Sequence, residues 1–354
     1  MLFSRTKNLV GLDIGTSSVK AVELKELGKG RGYQLASIGI EPLSPEAIVD
    51  GAIMDSGLVI EGIQKVFSHN RIKSSDVAIS LSGHAVIIKK ISLPVMSPEE
   101  LAESIQWEAE QYIPFDVSDV NIDYQVLEGS ATATEGNMDV LLVAVKKDKI
   151  NDYASVISQA GKNTLVADVD VFALQNAYEA NYEPSLNRQV ALVNVGASVT
   201  NIAIVQNGSS IFWRDISVGG NNYTDALQKE LNLSFEQAEA AKMGDGAGLP
   251  RERVTAIIDA VNEQVGAEIQ KTLDFFKTTT ASEPLSHILI TGGAAKTPNL
   301  VSYLSRRFET QVEMLNPFRN IQINERAFPP EKLEPVKASA AVAVGLALRK
   351  VGDK

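Results

Sequence analysis

Between residues 9 and 40 the chain alternates apolar and polar positions in three short runs, 9–14, 19–24 and 33–40. A Gly-Thr-Ser-Ser turn separates the first two, and the glycine-rich stretch 27–32 separates the next pair. Period-two alternation over runs this short predicts strands, and joints this tight predict an antiparallel meander. The spacing then lengthens over 58–68, which predicts a helix, and strands follow at 77–81 and 86–93. Ser97-Pro98-Glu99-Glu100 is a helix start: Ser97 caps, Pro98 suits the first turn and Glu100 closes a capping box. Leu101, Ile105, Ala109 and Tyr112 form that helix's apolar stripe, and Pro114 ends it. Strands at 120–127 and 140–145 flank a polar loop at 130–137, and 148–159 reads as a helix. The stretch 77–161 therefore predicts a compact α+β module.

A second set starts at Arg188. Strands are predicted at 190–195, 200–205 and 210–217, helices at 221–231 and 234–242, and a glycine-rich loop at 244–248. Ile257, Val261, Val265, Ile269, Leu273 and Phe276 recur every three or four residues, which predicts one long core-packed helix over 253–277. A strand at 287–290 runs into Thr291-Gly292-Gly293, a helix starts at 299, and a closing helix covers 338–350. The two sets repeat one pattern, because residues 12–19 align with residues 193–200 as strand, glycine turn, strand. Such a repeat predicts two related α/β halves whose hairpins meet in a cleft.

Composition narrows the function classes. The 354 residues are 44% hydrophobic and 22% charged, enough for a real core in two or three domains. A net charge of −11 argues against wrapping nucleic acid. The absence of cysteine excludes disulfides, thiolate metal sites and a cysteine nucleophile. Three histidines, His69, His84 and His287, argue against a multi-histidine metal centre. Arg5 and Lys7 precede too short an apolar stretch for a secretory signal, and no run nears the roughly 18 apolar residues of a membrane span. A cytoplasmic protein is expected, one that reaches a membrane only through partners.

Four segments carry candidate chemistry. The turn Gly15-Thr16-Ser17-Ser18 offers backbone N–H groups and hydroxyls to phosphate oxygens, with Asp13 placed for a hydrated Mg²⁺ and Lys20 adding charge. Taken alone it is equally an ordinary hairpin turn. The second copy, Asn194 with Gly196, Ala197 and Ser198, supplies what a clamp needs on its other side. Gly292, Gly293 and Ala294 end a buried strand, where backbone can lie flat against a base or ribose, or simply turn into a helix. Glu239 and Lys242 share a helix face, as nucleoside contacts or as a surface ion pair.

In this order the four segments resemble the actin-like ATPase superfamily, which includes actin, FtsA, heat-shock chaperone ATPases and sugar kinases. The resemblance covers nearly the whole chain. It implies an α/β fold of duplicated ribonuclease H-like halves with ATP and Mg²⁺ between them. Asp13, Gly15, Thr16, Ser17, Ser18 and Lys20 then form the first phosphate segment, with Asp13 as metal ligand and catalytic carboxylate. Asn194 to Ser198 become the second phosphate segment, Gly292 to Ala294 the adenosine segment, and Glu239 with Lys242 the nucleoside contacts. The helix after Asp170 and the closing helix become the two connecting helices. The implied division puts 1–74, 161–188 and 335–354 in subdomain 1A and 75–160 in an inserted FtsA-type subdomain 1C. It puts 189–220 with 283–334 in subdomain 2A and 221–282 in subdomain 2B.

The inserted module narrows the resemblance. Its string from Ile105 to Phe115, and Asn316-Pro317-Phe318, are similar to the PilM family of type IV pilus assembly. Unlike FtsA, the chain is read as carrying no amphipathic anchor after its last helix. The family implies a cytoplasmic ATP-binding component of the pilus assembly (alignment) complex that underlies twitching motility, docked at the inner face of the inner membrane. The implied partner is the cytoplasmic N-terminal tail of PilN, in a groove involving the module, with Trp107, Tyr112, Pro114 and Phe115 as contacts. Without the resemblance these four read as core packing and a helix stop. Other pilus motor and platform proteins are further implied partners. An FtsA-like cell-division filament protein and a small-molecule kinase are the alternatives, and for a kinase no substrate base is evident.

Asn194 departs from the superfamily pattern, in which the second phosphate segment usually carries Asp. An amide hydrogen-bonds without the charge that orients Mg²⁺ and water. ATP binding with slow or absent hydrolysis is the expectation. Asp170 is left to position water, or else is a helix-start carboxylate favoured by the dipole.

Overall fold

The meander at the start of each half is the seed of a larger sheet. The structure, a computed structural model, describes residues 9–28, 30–127, 136–183, 188–246, 248–279 and 285–353. Arg5, Lys7, residues 130–135 of the predicted polar loop, Lys29 and Ala247 lie outside the described residues. In the first half five strands run in the order Asn163–Val169, Asp76–Leu81, Val10–Ile14, Ser18–Glu26, Tyr33–Pro42. In the second half the order is Val312–Met314, Leu285–Thr291, Gln189–Val195, Thr200–Gln206, Ser209–Ile216. Each sheet is an antiparallel meander extended by two parallel strands. The repeat thus extends from the hairpins to whole sheets. Central strands are mostly apolar because helices cover both faces, and every residue of Asp76–Leu81 is buried, the polar Asp76 and Ser80 included.

Ser56–His69, capped by Asp55, and Lys147–Gln159 cover one face of the first sheet through Val59, Ile63, Val66, Tyr153, Val156 and Ile157. Asp170–Asn181 and Ala341–Ala347 cross behind. Their backbones touch at Gly345, where a Cβ would sit 1.7 Å from the Ala173 carbonyl oxygen, so no larger residue fits.

Nonlocal pairing corrects several expected boundaries. Asp76–Leu81 pairs with Val10–Ile14, and Lys147–Gln159 packs on that same sheet, so the inserted module is narrower than 75–160. Its own sheet is Val86–Pro94, Asn137–Lys146 and Val120–Leu127, covered by Pro98–Glu110. Its core contains Ile91, Leu101, Ile105, Ala109, Ile113 and Leu142. Ile113 takes the place expected of Tyr112, which is exposed, because the helix ends before it and the chain turns. Residues 318–334 do not belong with 283–334: Phe318, Ile321 and Leu333 pack on Val22, Leu24 and Leu35, and Gln322 bonds backbone to Tyr33 and Leu35. The long helix is Arg251–Thr279; its stripe from Val261 to Phe276 joins the second sheet's core, while Val254 and Ile257 pack with Leu227, Ala238 and Ala241 inside the expected 221–282 unit. Ile258, not Ile257, is its first buried residue in that core.

The closing helix expected at 338–350 is broken. Pro330–Lys337 precedes it and Ala341–Ala347 completes it. The Ala338 carbonyl accepts from the Gly292 N–H at 2.6 Å and the Thr291 hydroxyl at 2.7 Å. An acceptor spent on another strand cannot also carry the helix ladder. Among the described residues, no helix is long and apolar enough to cross a membrane.

Candidate functional site

The two glycine turns are the same local structure. Gly15 N–H donates to the Ser18 carbonyl at 3.0 Å, and Gly196 N–H donates to the Val199 carbonyl at 3.0 Å. The sheets bring them face to face, with Thr16 Oγ1 and Ser198 Oγ 3.3 Å apart across the interface of the halves. Around them opens a cleft of about 960 Å³. Asp13, Gly15, Thr16, Ser17, Ser18 and Lys20 line it from the first half, and Asn194, Gly196, Ala197 and Ser198 from the second. Glu239, Lys242, Gly292, Gly293, Ala294 and Asp170 line it as well.

Register decides the partners of each candidate. Asp13 lies opposite Lys20, and their side chains form a largely buried ion pair at 3.0 Å. The equivalent pair in the second half is Asn194 opposite Asn201, where the Asn194 amide donates to Asn201 Oδ1 at 2.8 Å. Asn201 in turn donates to Asp215 Oδ1 at 2.8 Å, and Asp215 Oδ2 accepts from the Gly83 N–H at 2.8 Å. A carboxylate is therefore present on the Asn194 side, two strands away, already engaged with two donors.

Asp170 opens its helix at the base of the cleft, accepting from the Ser80 hydroxyl at 2.6 Å. Burial, then the charge of Asp13, pushes its pKa up to about 6, against the pull of Ser80 and Ser82. Lys149 lines the wall nearby and donates, as does the Tyr153 hydroxyl, to the Gly51 carbonyl. Burial holds the Lys149 pKa down, with Asp170 opposing.

Lys242 is buried at 7% exposure, which removes the reading of a surface pair. Its ammonium bonds Glu239, the Thr224 hydroxyl at 3.0 Å and the Gly220 carbonyl at 3.4 Å. The Thr224 hydroxyl also donates to Glu239. Gly292 has φ +99° and ψ 160°, and a Cβ there would lie 2.2 Å from the Val195 carbonyl oxygen. The floor of the cleft is thus backbone against backbone. Among the described residues, no group of three or more His, Asp or Glu could hold a metal ion. Asp215, Ser80, Lys149 and Tyr153 were missed in the sequence, because each reaches the cleft through pairing or packing with distant segments.

A family model for the type IV pilus assembly protein PilM matches residues 11–351. The chain belongs to the PilM family. A solved PilM-PilN type IV pilus biogenesis complex superposes with a TM-score of 0.86 at 26% identity, covering 99% of this chain and all of that one. The cell division protein FtsA of Escherichia coli K12 is 23% identical over 381 residues, 92% of this chain and 87% of FtsA. FtsA of Bacillus subtilis 168 is 24% identical over 259 residues, and the match spans 57% of its length. MreB 5 of Spiroplasma citri bound to AMPPNP has a TM-score of 0.51 at 15% identity over 96% of this chain, a likeness of fold alone. The fold is actin-like, with the FtsA relation that the PilM family carries.

The four residues expected at a partner surface of this PilM-family chain lie away from the cleft. Trp107 is 74% exposed on the module's helix, Tyr112 and Pro114 are exposed, and Phe115 is half-buried with Lys146 Nζ 4.1 Å over its ring. Core packing does not account for Trp107.

Proposed function

We propose that this chain is the cytoplasmic ATP-binding component of the type IV pilus assembly complex, binding the PilN N-terminal tail and linking nucleotide state to the inner-membrane machinery. The observation that carries the nucleotide reading is the pair of glycine turns closed by the same backbone bond, with the Thr16 and Ser198 hydroxyls 3.3 Å apart across the halves. Turn amides and hydroxyls of this kind suit phosphate oxygens. Glu239 and Lys242 suit ribose hydroxyls and a base edge, and the Gly292 floor suits a flat ring. The partner reading rests on PilM-family membership and on the neighbour solved with PilN.

Mg²⁺ would supply positive charge beside the phosphates. Asp13 fits it through water, since one carboxylate oxygen is paired with Lys20 and the other is left for such contacts. Hydrolysis is proposed to be slow. Asn194 brings no charge, Asp215 is engaged by Asn201 and Gly83, and with Asp13 beside the metal Asp170 is the best remaining carboxylate to orient water. Calorimetry with ATP tests the binding; a flat isotherm overturns it. Turnover comparable to a working chaperone or kinase would overturn the slow-hydrolysis reading.

Trp107→Ala tests the partner surface. An exposed ring contributes little to the fold, so stability should change by less than about 0.5 kcal/mol. As an aromatic anchor for the PilN tail it should cost about 2 kcal/mol, roughly thirtyfold in affinity. A melt and a peptide titration together check this, and unchanged affinity removes Trp107 from the site.

A further inference from the structure

We propose that Asp215 is the positioning residue that couples the nucleotide cleft to the inserted module, an inference that rests on the nucleotide reading above. Asp215 sits between the two. Through Oδ1 it holds Asn201, which holds Asn194 of the second glycine-turn strand. Through Oδ2 it crosses to the other half and holds the Gly83 N–H. Gly83 closes the turn into the module, since its carbonyl accepts from the Val86 N–H at 3.0 Å and Val86–Pro94 is the module's first strand.

Two further contacts bear on the same junction. Ser80 and Ser82, on the near side of Gly83, hold Asp170 at the base of the cleft. One carboxylate from each half therefore grips a single short stretch, 80–83. Two residues before Asp215 on its strand, the Trp213 indole N–H donates to the Ile88 carbonyl of the module at 3.1 Å. The Trp213 ring meets Phe172 edge-on and packs with Val86, Ile88 and Val143. The module is thus fastened to the half that does not contain it.

A ligand drawing the two glycine turns together draws Asn194 and Asp215 toward Gly83. Coupling of this kind needs a shared element that both sites bias. Here that element is the Asp215–Gly83 bond. Filling the cleft makes the bond more persistent and immobilises the root of the module; emptying it releases the root.

Hydrogen exchange at residues 83–88, measured with and without Mg-ATP alongside calorimetry, tests this. In the unmodified chain ATP should slow exchange there about tenfold, within the usual range of coupling. Asp215→Asn keeps shape but offers one acceptor to two donors, so either Gly83 or Asn201 faces an amide N–H. ATP affinity should fall by no more than about tenfold, the reciprocal of the coupling, while the ATP-dependent slowing falls below about twofold. Trp213→Phe keeps an aromatic ring beside Phe172 and removes the indole donor with part of the ring's packing. It should cut the slowing at 86–88 at least by half, and it provides the readout if the first variant folds poorly. Slowing unchanged in both variants overturns the proposal. ATP bound by the unmodified chain without slowing at 83–88 overturns the coupling and leaves the nucleotide reading standing. No ATP binding at all overturns both.

Discussion

Gly292→Ala is expected to destabilise the protein by about 3 kcal/mol or more and to abolish nucleotide binding. Two costs combine. The φ +99°, ψ 160° conformation is one that only glycine adopts without strain. A Cβ would also meet the Val195 carbonyl oxygen at 2.2 Å, the backbone that leads into the second glycine turn. Relief requires Val195 and the Gly196 turn to move together, which spoils the clamp even where the chain still folds. Gly293→Ala is the control. Its Cβ would lie 3.6 Å from the Ser339 hydroxyl, an ordinary contact, so stability should change by less than about 1 kcal/mol. Urea melts and a fluorescent-nucleotide titration of both variants check the contrast.

The second large effect belongs to Asp170→Asn. The proposed slow hydrolysis depends on this carboxylate to orient water, so turnover should fall about a hundredfold while ATP affinity holds. The stability effect has the opposite sign. In the folded chain Asp170 titrates near 6, against about 3.9 unfolded. Between those values the native state keeps a proton that the unfolded state has lost, so stability falls as pH rises through this window. The asparagine variant escapes that loss. Relative to the unmodified chain it should gain about 2 kcal/mol between pH 4 and pH 7, with the gain flat above pH 7. Melting curves across pH check the sign; a gain that grows toward acid pH would contradict it.

The glycine turns were legible because everything that makes them is local: alternating strands, a glycine and two or three hydroxyl residues between them. The repeat was legible for the same reason, since both copies spell it within eight residues. Asp215 was not legible. Asn207 and Gly208 both have positive φ and form a two-residue hairpin, so Gln206 faces Ser209. Counting outward from that turn puts Arg214 opposite Asn201. A bulge between Ile204 and Val205 shifts the register by one, and Asp215 takes the place. One extra residue in the ladder changes which side chain stands opposite Asn201. The break after Lys337 was hidden likewise, because the competing donors on the Ala338 carbonyl come from Thr291 and Gly292. Asp76–Leu81 read correctly as a strand, but its partners lie far off in the chain on either side.

The module leaves the main fold and returns to it at adjacent points. Lys146 N–H donates to the Ala85 carbonyl at 3.0 Å, and Val86 pairs with Val145. Closely spaced ends make a segment portable, since its host need not rearrange to gain or lose it. The block can therefore be exchanged as a cassette while the core's own architecture stays in place. The graft carries one toll: Val86, Ile88 and Val143 pack into the host's core, so any replacement cassette must bring its own apolar root.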